Sequence, residues 1–150
     1  MSLEQWEANA WIIKVTTSTP VIFNLISVAR REISDASLEG MSTDGRFDHA
    51  YDAIRVLAEM VLHANGYAVS KGTHQHQRVI DSLEFSLGGD FAAEVAFFDQ
   101  ARRLRHQSMY ERTGVVQQKD ADDLLEAAKR LYARIQQWLP EKLPKQEANR

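Results

Sequence analysis

Four side chains that could bind or cleave a phosphodiester lie in one short stretch: Arg102, Arg105, His106 and Tyr110. Guanidinium groups bind phosphate oxygens, and imidazole transfers protons near neutral pH. In a helix, His106 shares one face with Arg102 and with Tyr110, because each pair is four residues apart. The spacing predicts a compact polar site.

The helix that carries these residues changes character along one face. It begins with an apolar stripe made of Phe91, Val95 and Phe98. The same spacing then continues at Arg102, Arg105 and Met109. A buried arginine needs a partner, a cleft or an interface, since an unpaired buried charge is costly. Arg103 lies off the stripe and can pair with Asp99, four residues earlier.

A purely structural role for the arginines is the alternative. Arg102 and Arg105 could cross to a carboxylate on a neighbouring helix, such as Asp48 or Asp52, or reach water at the end of the bundle. The two roles predict different surroundings. A binding site needs accessible arginines, whereas a structural cluster would have them consumed by carboxylates.

The elements that must position the site are helices. The strongest helical pattern runs along Ala50–Leu62, where a broad apolar stripe places this helix at the centre of the fold. Apolar spacing also predicts a first helix through Leu3 and Ile13, and no segment shows the alternation of a strand. The sequence therefore predicts an all-α, antiparallel bundle of about five to six helices, with 1–139 as one domain and 140–150 as a polar tail.

Capping residues mark where the predicted helices begin. The predicted N-caps are Thr19 (with Pro20 as the first helical residue), Thr73, Asp90 and Asp120. The side-chain oxygens of such residues accept hydrogen bonds from the first free N–H groups of a helix.

Composition excludes several classes of protein. The 150 residues carry a net charge of −3, with 44% hydrophobic and 26% charged residues, which is typical of a globular domain and not of a basic nucleic-acid coat. There is no cysteine, so disulfides and thiolate metal sites are excluded. Nothing in the first residues resembles an apolar signal segment, and we expect a cytoplasmic protein without a membrane span.

Motifs for bound cofactors are missing from the sequence. It lacks a Walker A loop and a dinucleotide-binding glycine motif, and we expect no cofactor. His74 and His76 could ligate a metal only from an extended backbone, and Glu59 and His63 share a helical face. No established metal motif contains them, so we expect no metal site.

The segment Phe98–Tyr110, FDQARRLRHQSMY, resembles the arginine helix of HEPN domains. The order of the other elements is similar as well. A long helix runs from Ala50-Tyr51-Asp52-Ala53 to Ala64-Asn65-Gly66-Tyr67, and a Gly72-Thr73-His74 turn, the arginine helix and an alanine-rich helix follow. The resemblance covers about 23–139.

The resemblance implies a small helical bundle that dimerises through the arginine helix. Many HEPN domains are RNA-cleaving toxins or defence ribonucleases, and others partner with small nucleotidyltransferase proteins. In the ribonucleases an arginine, usually followed by asparagine, precedes a histidine by five positions. Arg105 matches that arginine, but His106 replaces the asparagine and Tyr110 replaces the histidine. A tyrosine, with a pKa of about 10, is a poor substitute for a group that moves protons near neutral pH.

These observations predict a HEPN-like domain that is non-catalytic or weakly catalytic. It would bind RNA, a nucleotide or a protein partner, as a homodimer. Arg102, Arg105 and Tyr110 would bind the ligand, and Arg105 and His106 would carry any catalysis. One alternative is a metal-independent endoribonuclease of the toxin or defence type. Another is the antitoxin or substrate-binding partner of a nucleotidyltransferase-like protein.

Overall fold

The computed structural model describes residues 2–72, 74–111 and 114–141, without the side chains of residues 110, 111 and 141. In chain order the elements are α1 (Leu3–Ala8), β1 (Ile12–Lys14), α2 (Thr19–Ala36), α3 (Thr43–Ala64), β2 (Tyr67–Val69), α4 (Gln75–Asp81), α5 (Leu83–Ser86), α6 (Ala92–Glu111) and α7 (Gln118–Trp138). Two 3₁₀ helices, Gly89–Phe91 and Leu139–Glu141, flank α6 and α7. The predicted all-α helical bundle is confirmed. The predicted tail falls mostly on 142–150, outside the described residues.

Helix α3 forms the centre of the fold, as its apolar stripe predicts. It contacts α2, α7, α4 and α6. Its buried side chains include Phe47, Tyr51, Ile54, Leu57 and Leu62, each at most 1% exposed. Because these helices surround α3, its polar side chains lie in the spaces between them.

Helices α2 and α7 begin at residues other than the predicted caps. Ser18 caps α2, and its hydroxyl accepts a hydrogen bond from the Val21 N–H at 3.4 Å. Its backbone is extended, the conformation that an N-cap requires, while Thr19 is already helical. Gln117 caps α7, and Asp120 stands at the third helical position, where its carboxylate accepts from the Gln117 N–H at 3.0 Å. Thr73 lies outside the described residues.

A small antiparallel sheet contradicts the prediction that the chain has no strand. β1 pairs with β2 in the register Ile12–Val69, Ile13–Ala68 and Lys14–Tyr67. The first helix therefore ends at Ala8, and the next turn has Ala10 at φ +62°. Three residues are too few for an alternating pattern to show in the sequence. The two strands also come from segments that are far apart in the chain, so their pairing is not a local feature.

The predicted fourth helix is divided into α4 and α5 at Ser82. The Ser82 hydroxyl, fully buried, donates to the Val79 carbonyl at 2.7 Å. Asp90 lies within a 3₁₀ turn rather than capping α6. Helix α4 packs on both α3 and α6, and this packing brings the turn before α4 beside the arginines of α6.

Candidate functional site

The buried face of α6 turns into a polar one as the sequence predicts. Val95, Phe98 and Ala101 are buried in the core. One turn later the Arg102 and Arg105 side chains are only 24% and 25% exposed. Both guanidinium groups are thus partly withdrawn from solvent at the point where α6 leaves the core.

Arg105 is held by three residues of α3. Its Nε lies 3.6 Å from Asp48 Oδ1, and its Nη2 lies 3.6 Å from Asp52 Oδ1. The guanidinium carbon stands 4.8 Å from the centre of the buried Tyr51 ring, a cation–π distance. Both ion pairs are longer than hydrogen bonds, and the buried Nε has no hydrogen-bond partner among the described residues. These contacts orient the guanidinium group, and its long ion pairs allow a ligand oxygen at hydrogen-bond distance to replace them.

Arg102 is fixed within its own helix. Its Nε donates to Asp99 Oδ1 at 3.0 Å, and Asp99 also accepts from Arg103 Nη2 at 2.7 Å. The predicted Arg103–Asp99 pair is therefore confirmed, and Arg102 shares the same carboxylate. Asp81 of α4 lies nearby, and burial raises the pKa of its carboxyl group, with the charge of Asp99 adding to the effect. One carboxylate thus sets the direction of two arginines.

A cleft of about 440 Å³ opens beside these arginines. The residues that line it are Tyr51, Gly72, His74, Gln75, His76, Gln77, Arg102, Arg105, His106 and Met109. These residues come from α3, from the turn before α4, from the first turn of α4 and from α6. A concave site of this size, with a few converging polar groups, suits a small ligand or one segment of a larger one.

Three histidines, His74, His76 and His106, line the cleft together with the arginines. Burial lowers the pKa of His76, and the guanidinium groups of Arg55 and Arg105 lower it further. The His76 ring is therefore neutral at pH 7, and it lies 6.4 Å from the Tyr51 ring. The cleft combines fixed cations with an imidazole that can accept a proton.

The structure brings together three of the four residues predicted for the site. Arg102, Arg105 and His106 all line the cleft, whereas the side chain of Tyr110 lies outside the described residues. Sequence reasoning missed His76 and Tyr51 as members of the site. From the sequence, His74 and His76 can be assessed only as metal ligands or as residues that finish a turn, and their distance in sequence from α6 conceals that they share its cleft.

Among the described residues, no group of three or more histidine or acidic side chains is arranged to hold a metal ion. In the same part of the chain, none of the helices combines the length and apolarity that crossing a bilayer requires. No family model, no curated protein and no solved structure matches the chain, so its similarity to HEPN domains stays a prediction.

Proposed function

We propose that the chain is a HEPN-like helical domain that binds a phosphate group of RNA or of a nucleotide in the cleft between α3, α4 and α6. The observation that carries the proposal is the pair of partly buried arginines, Arg102 and Arg105, on one wall of that cleft. Planar guanidinium groups match phosphate oxygens in a two-pronged geometry that lysine cannot form.

Arg105 has the carboxylate neighbours that a structural role predicts, and we propose that a phosphate competes with them. Its carboxylate partners, Asp48 and Asp52, stand 3.6 Å away, and both remain partly exposed. Because both separations exceed hydrogen-bond distance, a phosphate that hydrogen-bonds the guanidinium group can compete with these carboxylates. Tyr51 supports the guanidinium from beneath and keeps it directed at the cleft when a ligand arrives.

We propose that catalysis is weak or absent, because Tyr110 stands where the ribonuclease motif has histidine. The alternative, a metal-independent endoribonuclease, draws support from the histidines that line the cleft. His106 and His76 each place an imidazole beside the arginines, as proton transfer during RNA cleavage requires. In that case Arg105 stabilises the developing charge, Arg102 holds the phosphate and His106 is the acid or base.

A single RNA oligonucleotide, used without added metal, tests both the binding function and the ribonuclease alternative. The parent is compared with Arg105→Ala, His106→Ala and the control Arg130→Ala, which removes the same charge from an exposed residue of α7 outside the cleft. Binding lost only in Arg105→Ala, without cleavage, supports the binder. Cleavage lost in both Arg105→Ala and His106→Ala establishes the ribonuclease. A parent that neither binds nor cleaves refutes both and directs attention to a protein partner of the nucleotidyltransferase type.

We further propose a homodimer in which α6 contributes the contact. Met109, at the end of the arginine stripe, is 71% exposed and offers an apolar contact beside the cleft. A two-fold contact there would bring the arginines of both copies together, neutralised by carboxylates or a bound anion. Sedimentation equilibrium should give a mass near twice 17.1 kDa, reduced in Met109→Asp. A monomeric parent contradicts the dimer.

A further inference from the structure

A second cavity lies on the other side of the first turn of α4. Its volume is about 330 Å³. The lining residues are Leu25, Glu59, Leu62, His63, Tyr67, Ala68, Val69, Gln75, His76 and Val79. Gln75 and His76 line both this cavity and the arginine cleft, so the two spaces are neighbours separated by one turn of chain. We call it the α3–β2 pocket.

His63 presents a hydrogen-bond donor in a fixed form. Its Nε2 accepts a hydrogen bond from the Ser18 N–H at 3.1 Å. Burial lowers the pKa of the ring, so the neutral imidazole carries its proton on Nδ1. Within the part of the chain that the structure describes, that N–H has no hydrogen-bond partner.

Glu59, one helical turn before His63, presents an acceptor on the same face of α3. Arg55 Nη1 donates to Glu59 Oε1 at 2.9 Å and orients the carboxylate. The side chain is 42% exposed, so the carboxylate can still accept hydrogen bonds from a ligand. The pocket therefore offers a carboxylate and an N–H donor about 5–6 Å apart at their Cβ atoms.

The free edge of β2 adds backbone groups to the same pocket. Gly66 and Ser70 direct their backbone groups at β1, since the Val15 N–H donates to the Gly66 carbonyl and the Ser70 N–H to the Trp11 carbonyl. Alternation along an antiparallel strand turns the N–H and C=O groups of Tyr67 and Val69 the other way. Leu62 and Val79 add apolar side chains to the lining of the pocket.

We propose that the α3–β2 pocket binds a guanine base and that the natural ligand is a guanine nucleotide whose phosphate lies at Arg102 and Arg105; the second half rests on the proposed function. Guanine presents two adjacent N–H donors, N1–H and N2–H, beside the acceptor O6. That order complements the Glu59 carboxylate followed by the His63 Nδ1–H. Adenine lacks the second donor on this edge. His76 lies between the two spaces, where the ribose would pass.

Calorimetry separates the two halves of the proposal. The probes are guanosine, guanosine monophosphate, adenosine monophosphate and ribose 5-phosphate. We expect guanosine monophosphate to bind at least tenfold more tightly than adenosine monophosphate or ribose 5-phosphate, since one good two-pronged contact discriminates bases by about tenfold or more. Glu59→Gln should remove that preference and leave ribose 5-phosphate binding unchanged.

The matched control is Glu94→Gln, which neutralises another arginine-paired glutamate outside the pocket. If guanosine binds and ribose 5-phosphate does not, the guanine pocket is supported and the phosphate site is refuted. Ribose 5-phosphate that binds as tightly as guanosine monophosphate would refute the pocket and leave the phosphate site standing. Histidine ring ¹⁵N spectra give an independent reading, because guanosine should shift the His63 Nδ1 signal in the parent but not in Glu59→Gln.

Discussion

Neutralising Asp48 should strengthen phosphate binding. In the free protein Asp48 Oδ1 lies 3.6 Å from Arg105 Nε, so a bound phosphate must share the guanidinium with a carboxylate that also repels it. Asp48→Asn removes the charge and keeps the shape of the side chain. Asp48 is suited to this change because its side chain is 49% exposed, and losing the pair should alter stability by less than about 0.5 kcal/mol.

The size of the gain follows from the separation and the exposure. Two unit charges 3.6 Å apart interact by about 1 kcal/mol in bulk water, and measured exposed pairs contribute about 0.2–1 kcal/mol. We therefore expect Asp48→Asn to lower the Kd for ribose 5-phosphate by about two- to fivefold at low ionic strength. At about 1 M salt, where the Debye length is about 3 Å, the gain should largely vanish.

Titration calorimetry of the parent, Asp48→Asn and Asp123→Asn measures the effect. Asp123 is an exposed carboxylate of α7 that pairs with Lys119 and does not line the cleft, so its substitution controls for net charge. If Asp48→Asn binds no more tightly than Asp123→Asn, Arg105 is not the phosphate ligand. A larger Kd in Asp48→Asn would show instead that Asp48 positions Arg105, which contradicts the proposed competition between Asp48 and the phosphate.

Three further outcomes are expected from the packing and the ion pairs. Leu57→Ala, at a fully buried position, should lower the free energy of unfolding in urea by about 2–5 kcal/mol, whereas the same change at Leu38, 53% exposed, should cost less than about 0.5 kcal/mol. The Glu32 carboxylate, hydrogen-bonded to His49 Nδ1 at 2.7 Å, raises the pKa of that histidine above its ordinary value of 6.5. The pair therefore stabilises the fold fully below pH 6.5, and this stabilisation is lost as the pH rises through the pKa of His49 in the folded protein. The deficit of His49→Gln should therefore be larger at about pH 5.5 than at about pH 8.5, and an equal deficit would contradict the pair. Arg46→Met should cost about 1–3 kcal/mol, because its guanidinium binds two carbonyl groups at the end of α2, and a melting temperature equal to the parent's would refute that role.

The sequence was informative wherever a pattern extended over several turns. The stripe of α3 predicted the centre of the bundle, and the stripe of α6 predicted where its core face ends in arginine. Capping preferences could not distinguish adjacent candidates, because Ser18 and Thr19 are both favourable N-cap residues. Only the extended backbone conformation of Ser18 identifies it as the N-cap of α2. Pairing of β1 with β2 depends on a contact between distant segments that no local pattern encodes.

The candidate site divides in the same way. Arg102, Arg105 and His106 could be predicted because they lie on one helix. Asp48 and Asp52 could be named only as two of several carboxylates, and the structure shows both beside Arg105. The contribution of His76 depends on how α4 packs against α6, and so it could not be read from spacing.

The pairing of β1 with β2 has a consequence for the order of folding. Ile13 and Ala68 are joined across the whole α2–α3 hairpin, and closing such a loop costs conformational entropy until the two helices have docked and drawn its ends together. The sheet is therefore a late contact, formed on a nearly finished bundle. Its opening would separate β1 from β2 without unfolding α3, and amide protons in β1 would exchange with solvent through that partial opening. The same event would loosen one side of the α3–β2 pocket, because β2, the partner of β1, lines it.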